Sequence, residues 1–117
     1  MAEEKNFEDR VKRFLKDHHC WYVKYWGGGS FTKAGIPDLL VCCNGYFMGV
    51  ELKSSRGKAT DLQKASLKKI THANGFGIVL HPADFDQFKD FVMCIQQGEC
   101  PADLYVSKKY PFLFNWW

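Results

Sequence analysis

Residues 37–53 read Pro37-Asp38-Leu39-Leu40-Val41-Cys42-Cys43-Asn44-Gly45-Tyr46-Phe47-Met48-Gly49-Val50-Glu51-Leu52-Lys53. Two apolar runs flank Asn44-Gly45, the dipeptide that best accepts the positive φ angles of a two-residue type I′ turn. This predicts two antiparallel strands. With Asn44 and Gly45 as the loop, Cys43 faces Tyr46, and counting back along both strands Asp38 faces Glu51. Strand side chains alternate, so Asp38, Leu40, Cys42, Phe47, Gly49, Glu51 and Lys53 share one face. The other face, from Pro37 and Leu39 through Val50 and Leu52, is almost wholly apolar and reads as core. A three-residue loop with a bulge would shift the register by one and part the two acids.

Opposed residues on an antiparallel pair have Cβ atoms about 5 Å apart, and like charges there are destabilising. A hard divalent cation compensates such a pair, and magnesium is typically held by one or two carboxylates with several waters. Lys53 projects from the same face two residues beyond Glu51, where an ammonium orients a metal-bound water or stabilises charge growing on a phosphate. Metal, water and ammonium are the parts that hydrolyse a phosphodiester. A plainer reading uses the same residues: Glu51 and Lys53 as a surface ion pair, and Asp38 as a turn residue after Pro37.

Upstream, Phe7, Val11, Phe14, Leu15 and His18 form the stripe of an amphipathic helix over about residues 4–19. Trp21 to Trp26 reads as a first strand, and Gly27-Gly28-Gly29-Ser30 ends it. Downstream, Thr60 with Gln63 forms a capping box opening a helix whose apolar residues are Leu62, Ala65, Ile70 and Ala73, stopped by Asn74-Gly75. Phe76 to Leu80 is a short buried strand. Asp84 or a neighbour caps a further helix with Phe85, Phe88, Val92 and Ile95 inward, ending near Gly98. Tyr110, Phe112, Phe114 and Trp116 alternate with their neighbours and predict a last aromatic strand. Element order and chain length together predict one α/β domain over residues 1–117, a mixed sheet flanked by helices, with 98–117 an aromatic C-terminal extension within it.

Composition narrows the class. The 117 residues carry 16 Lys and Arg against 13 Asp and Glu, a net charge of +3. The charge is uneven: residues 1–69 hold 13 basic and 8 acidic side chains (+5), and residues 70–117 hold 3 and 5 (−2). No apolar run approaches the ~20 residues of a membrane span, and the charged start MAEEKNFEDR lacks a secretory pattern. Five cysteines without C-x-x-C spacing argue against a disulfide framework or a structural zinc, and for reduced thiols in a cytoplasmic compartment.

Gly35-Ile36-Pro37-Asp38-Leu39-Leu40, a hairpin-length gap and Val50-Glu51-Leu52-Lys53 resemble the PD-(D/E)xK nuclease superfamily, with its restriction-endonuclease-like fold. The short chain, the GIPD form and a glutamine early in the next helix resemble its VRR-NUC family, of phages and structure-specific repair nucleases. Archaeal Holliday junction resolvases are next by pattern, and the similarity spans about residues 4–80. The resemblance implies Asp38, Glu51 and the Leu52 main-chain carbonyl as metal ligands for Mg2+, with Mn2+ able to substitute, and Lys53 as the catalytic lysine. It implies Glu8 as an acid reaching the metal through water, although an acid early in a helix is favourable in itself. Gln63 matches the family's helix glutamine and can cap its helix as well.

Ser30, Thr32 and Lys33 on the glycine loop, with Lys58 and Lys64 after the catalytic strand, are candidates to lie along a DNA backbone. No arginine and asparagine constellation reads bases, so branched DNA such as a Holliday junction is the expected substrate. Two coordinated cuts imply a homodimer, with the Trp21 to Trp26 strand and the aromatic tail as candidate interfaces. The expected setting is the cytoplasm of a bacterial or phage-infected cell. Two alternatives stand beside this reading: a restriction-type or nicking endonuclease of the same superfamily, and a DNA-binding module that keeps the fold without catalysis.

Overall fold

The computed structural model describes residues 2–26, 33–99 and 101–117. Helix α1 (Ala2–Asp17) leads into β1 (Trp21–Lys24), the hairpin β2 (Leu39–Cys43) and β3 (Tyr46–Leu52), helix α2 (Asp61–His72), β4 (Phe76–Leu80), α3 (Phe85–Gln96) and the short α4 (Pro101–Val106). The sheet order is β1-β2-β3-β4. The first two pairings are antiparallel and β3–β4 is parallel, because α2 carries the chain back across one face before β4 begins. This is a restriction-endonuclease-like α/β domain, a mixed sheet flanked by helices. Among the described residues no helix is long and apolar enough to cross a membrane.

The hairpin sets the register. Asn44 and Gly45 take φ of 50° and 84°, and Cys43 pairs with Tyr46 through to Leu39 with Val50. Cys42 is exposed and Cys43 buried, as alternation requires. On the core face, Leu39, Val41, Met48, Val50, Leu52, Ile78 and Leu80 pack against Phe7, Val11, Phe14 and Leu15 of α1 and against Phe85, Phe88, Val92 and Ile95 of α3. The other face carries α2, whose Thr60–Gln63 capping box forms as expected.

Three expectations are corrected. The fully buried residue of α2 is Leu67, with Val79 and Trp116 around it; of the expected stripe only Ile70 lies against the sheet, half-buried over Gly49 and Gly75, whereas Leu62, Ala65 and Ala73 are exposed. Asp84 does not cap α3 with its side chain; its carboxylate accepts from the His81 N–H at the 3₁₀ turn Pro82–Asp84. The tail is not a strand. Pro111–Leu113 form a 3₁₀ turn that buries both Phe112 and Leu113, which a period of two would have sent to opposite sides. Phe112 and Tyr110 meet Phe91 edge-on at 5.6 and 5.3 Å. The buried part of the tail thus completes the chain's own core instead of offering itself as an interface. On β1, by contrast, Trp21 and Val23 remain exposed. The glycine loop before Lys33 lies outside the described residues.

The close approach of α2 depends on Gly77. A Cβ there would lie 2.5 Å from the Leu67 carbonyl oxygen, a backbone atom that cannot rotate aside. Gly77→Ala is expected to lower unfolding free energy by roughly 1–3 kcal/mol, measured by urea denaturation, while Ala65→Ser on the exposed side of α2 leaves it within about 0.5 kcal/mol.

Candidate active site

The open end of the hairpin gathers the charged side chains. Beyond the last regular pair, Asp38 turns one carboxylate oxygen to the Leu52 N–H at 2.9 Å, so the acid is tied to the strand that carries Glu51. Its other oxygen stands 3.5 Å from the Lys24 ammonium. Glu51 is 2% exposed, the one buried charged residue among those described. Its Oε2 lies 3.2 Å from Lys53 Nζ, and its Oε1 is buried with no hydrogen-bond partner. The ion pair of the plainer reading is present, but it is not on the surface: Glu51 is buried and Lys53 half-buried.

Lys24 was not singled out by sequence reasoning. It extends from the end of β1, next to Leu39 in the sheet, and its ammonium lies 2.7 Å from Glu8 Oε1 as well as near Asp38. Lys12, one helical turn after Glu8, holds the other Glu8 oxygen at 2.8 Å. Glu8 and Asp38 are thus joined through one lysine. Glu3 accepts from the Ser55 N–H and hydroxyl at 3.0 and 2.7 Å and tethers the segment that follows Lys53. Gln63 lies apart from this cluster in hydrogen-bonding terms: its side-chain oxygen accepts from the Thr60 N–H in the cap.

Among the DNA-contact candidates, Lys33 is exposed and its main chain is held by the Tyr25 hydroxyl. Lys58 and Lys64 line one cleft beside the β3–α2 connection. Ser30 and Thr32 lie outside the described residues.

Electrostatics divides the acids. Burial, and then the nearby charge of Asp38, push the Glu51 carboxyl up to about 7, with Lys53 offsetting only part of this. Partial burial works the same way on Glu8, but Lys12 and Lys24 outweigh it and hold that carboxyl below its ordinary range. Lys24 loses solvation yet gains Glu8 and Asp38, so its ammonium is held more firmly than usual.

The site residues fit a divalent cation. A buried carboxylate oxygen without a partner carries a desolvation cost that a cation beside it removes. Among the described residues no three acidic, histidine or cysteine side chains converge. A cation here would have two carboxylates, main-chain oxygen and water, the set magnesium commonly accepts.

The raised Glu51 carboxyl has a signed consequence. The folded state holds this proton more tightly than the unfolded state, whose value is 4.5. Ionisation therefore erodes stability as pH rises from 4.5 to about 7, and the full cost, roughly 3 kcal/mol, stands above that. In chelator at pH 8, Glu51→Gln is expected to be more stable than the parent by about 1–3 kcal/mol in urea denaturation, with the gap closing near pH 4.5. Magnesium should raise the melting temperature of the parent and leave that of Glu51→Gln unmoved. Equal stabilities at pH 8 would contradict the cost assigned to Glu51.

A model of the archaeal Holliday junction resolvase (Hjc) family matches residues 2–80, from the first helix to the end of β4. No curated protein matches the chain. The matched segment contains the hairpin, the three positions Asp38, Glu51 and Lys53, and Glu8. The match spans more than half of the chain and has the fold to go with it, so this protein belongs to the archaeal Holliday junction resolvase family, nucleases of the PD-(D/E)xK type.

Proposed function

We propose that this protein is a divalent-metal-dependent endonuclease that hydrolyses DNA phosphodiesters at branch points such as four-way junctions. We place it near the VRR-NUC branch of the superfamily, in the cytoplasm of a bacterium or a phage-infected cell. The observation that carries the activity is Glu51 Oε1: a carboxylate oxygen sealed in the fold with no partner, on the strand paired to Asp38 and in contact with the Lys53 ammonium through its sister oxygen. A purely structural acid at this depth would be expected to have both oxygens hydrogen-bonded.

Asp38, Glu51 and the Leu52 carbonyl would hold the cation, Mg2+ or in its place Mn2+, on which family members generally depend. When bound, such an ion polarises the phosphate and lowers the pKa of an attacking water. The protein's own groups supply the rest. Lys53 offsets part of the cost of ionising Glu51 and is placed to donate to the attacking water or to a phosphate oxygen that gains charge. Lys24 is a positioning residue, fixing the Asp38 carboxylate against Glu8. Glu8, held ionised by its two lysines, would order the waters around the cation, and Gln63 contributes through the helix it caps. Lys33, Lys58 and Lys64, with Ser30 and Thr32, would follow the phosphate backbone and set affinity and salt dependence. Coordinated cuts on two strands call for two such sites, supplied by a homodimer.

The deciding experiment offers a synthetic four-way junction and plain duplex, each with magnesium and with chelator. Paired symmetric nicks at the branch, dependent on magnesium, are expected. Asp38→Ala and Lys53→Met should each slow cleavage by about 10²–10⁴-fold while junction binding in chelator persists. Indiscriminate degradation of duplex would remove the branch preference, and undiminished cleavage by Asp38→Ala would remove the site.

A further inference from the structure

Between the connection that leaves β3 and residues 115–117 runs a cleft of about 500 Å3. Arg56, Lys58 and Lys64 stand along it with Trp116 and Trp117, and no acidic residue is among the described ones that line it. Trp117 is 49% exposed, yet it is held in place. Its ring stacks on Trp116 at 5.2 Å and 17°, Lys68 Nζ lies over it 5.3 Å from its centre, and the His72 ring stands 6.2 Å away, so an incoming base would have to displace the flexible Lys68 chain. Trp116 in turn is buried against Leu67 and Val79, with its indole N–H donating to the Phe112 carbonyl at 3.0 Å. The core therefore fixes the inner ring, and the inner ring holds the outer one partly open.

This cleft adjoins the candidate active site. A Cβ on Gly57, which lines it, would come within 3.3 Å of the Lys53 side chain, and the Gly57 carbonyl is bonded to His81 Nε2 at 2.7 Å. Two acids near it are engaged, Glu3 on Ser55 and Asp84 on the His81 main chain and ring, while Asp61 is exposed one turn before Lys64.

A cationic row alone is commonly a solvated face, and a lone exposed indole is unremarkable. Together they match the two parts of an unpaired nucleotide, phosphate and open base face, and base–aromatic stacking needs no particular sequence. Bases inside a duplex are stacked on each other and cannot offer that face. The space is nucleotide-sized.

We propose that this cleft receives unpaired nucleotides of single-stranded DNA, the base stacking on Trp117 and the phosphates following Arg56, Lys58 and Lys64, beside Asp38, Glu51 and Lys53. As a substrate feature the proposal rests on the nuclease reading, but the binding itself needs neither metal nor cleavage.

The test uses the full chain in chelator, with fluorescence anisotropy of a labelled oligothymidylate and of an abasic strand of equal length. Oligothymidylate is expected to bind about tenfold more tightly. Trp117→Ala should erase that preference and Trp117→Phe restore most of it, with circular dichroism checking the fold of each. Lys64→Gln should weaken both strands alike and reduce the salt slope by about one. Equal binding of the two strands by the parent chain, or a preference that survives Trp117→Ala, overturns the proposal. So does displacement by polyglutamate as effective as displacement by unlabelled oligothymidylate, which would mark a site for acidic protein. Junction cleavage with magnesium separates the two readings: its absence alongside base-dependent binding counts against the nuclease and leaves the cleft standing, and the reverse result does the opposite.

Discussion

Two like charges forced together at the end of a hairpin set the terms for the rest of the molecule. The Asn44-Gly45 turn allows one register, and that register brings Asp38 and Glu51 to the same end of adjoining strands. Left alone, such a pair favours protonation, and burial together with the charge of Asp38 pushes the Glu51 carboxyl that way. The fold surrounds the pair with ammonium groups instead of removing it. Lys53 touches Glu51, and Lys24 spans from Asp38 to Glu8, which Lys12 also holds. Such a cluster stores unfavourable electrostatics at a defined place, as functional sites do when stability is given up for chemistry.

The neighbouring architecture makes that placement rigid. The sheet face opposite the acids is apolar throughout and is covered by α1, α3 and the aromatic tail, so the hairpin cannot slip without exposing Leu39, Val41, Met48 and Val50 together. On the acids' own face α2 sits close because Gly77 has no side chain. Burial on one side and backbone contact on the other hold β3 from both directions, and Glu51 inherits its depth from that confinement.

The parts of this arrangement legible in the sequence are those governed by local rules. A period of two and an Asn-Gly turn suffice for the hairpin, and Thr60 with Gln63 suffices for the start of α2, because each rule acts within a few residues. Leu67 was missed since Leu62 and Ala65 suggested a different stripe, and only the approach of β4 selects which side of an evenly mixed helix goes inward. The tail was misread because alternating aromatics imitate a strand, whereas Pro111 and the need to bury both Phe112 and Leu113 favour a 3₁₀ turn. Lys24 was invisible for another reason. Its partners, Glu8 and Asp38, lie 16 and 14 positions away on other elements, and no pattern in the chain announces an ion pair across that distance.

The tail also links the fold to the cleft. Residues 110–113 close the core beneath α3, and the chain then continues onto the opposite face, where Trp116 packs on Leu67 and Val79. This continuation places a fixed, half-open indole next to the basic connection from β3, within reach of the same strand that carries Glu51 and Lys53. The residues beyond the family match thus act on both faces of the sheet, finishing the hydrophobic layer on one and building an aromatic wall beside the charged site on the other.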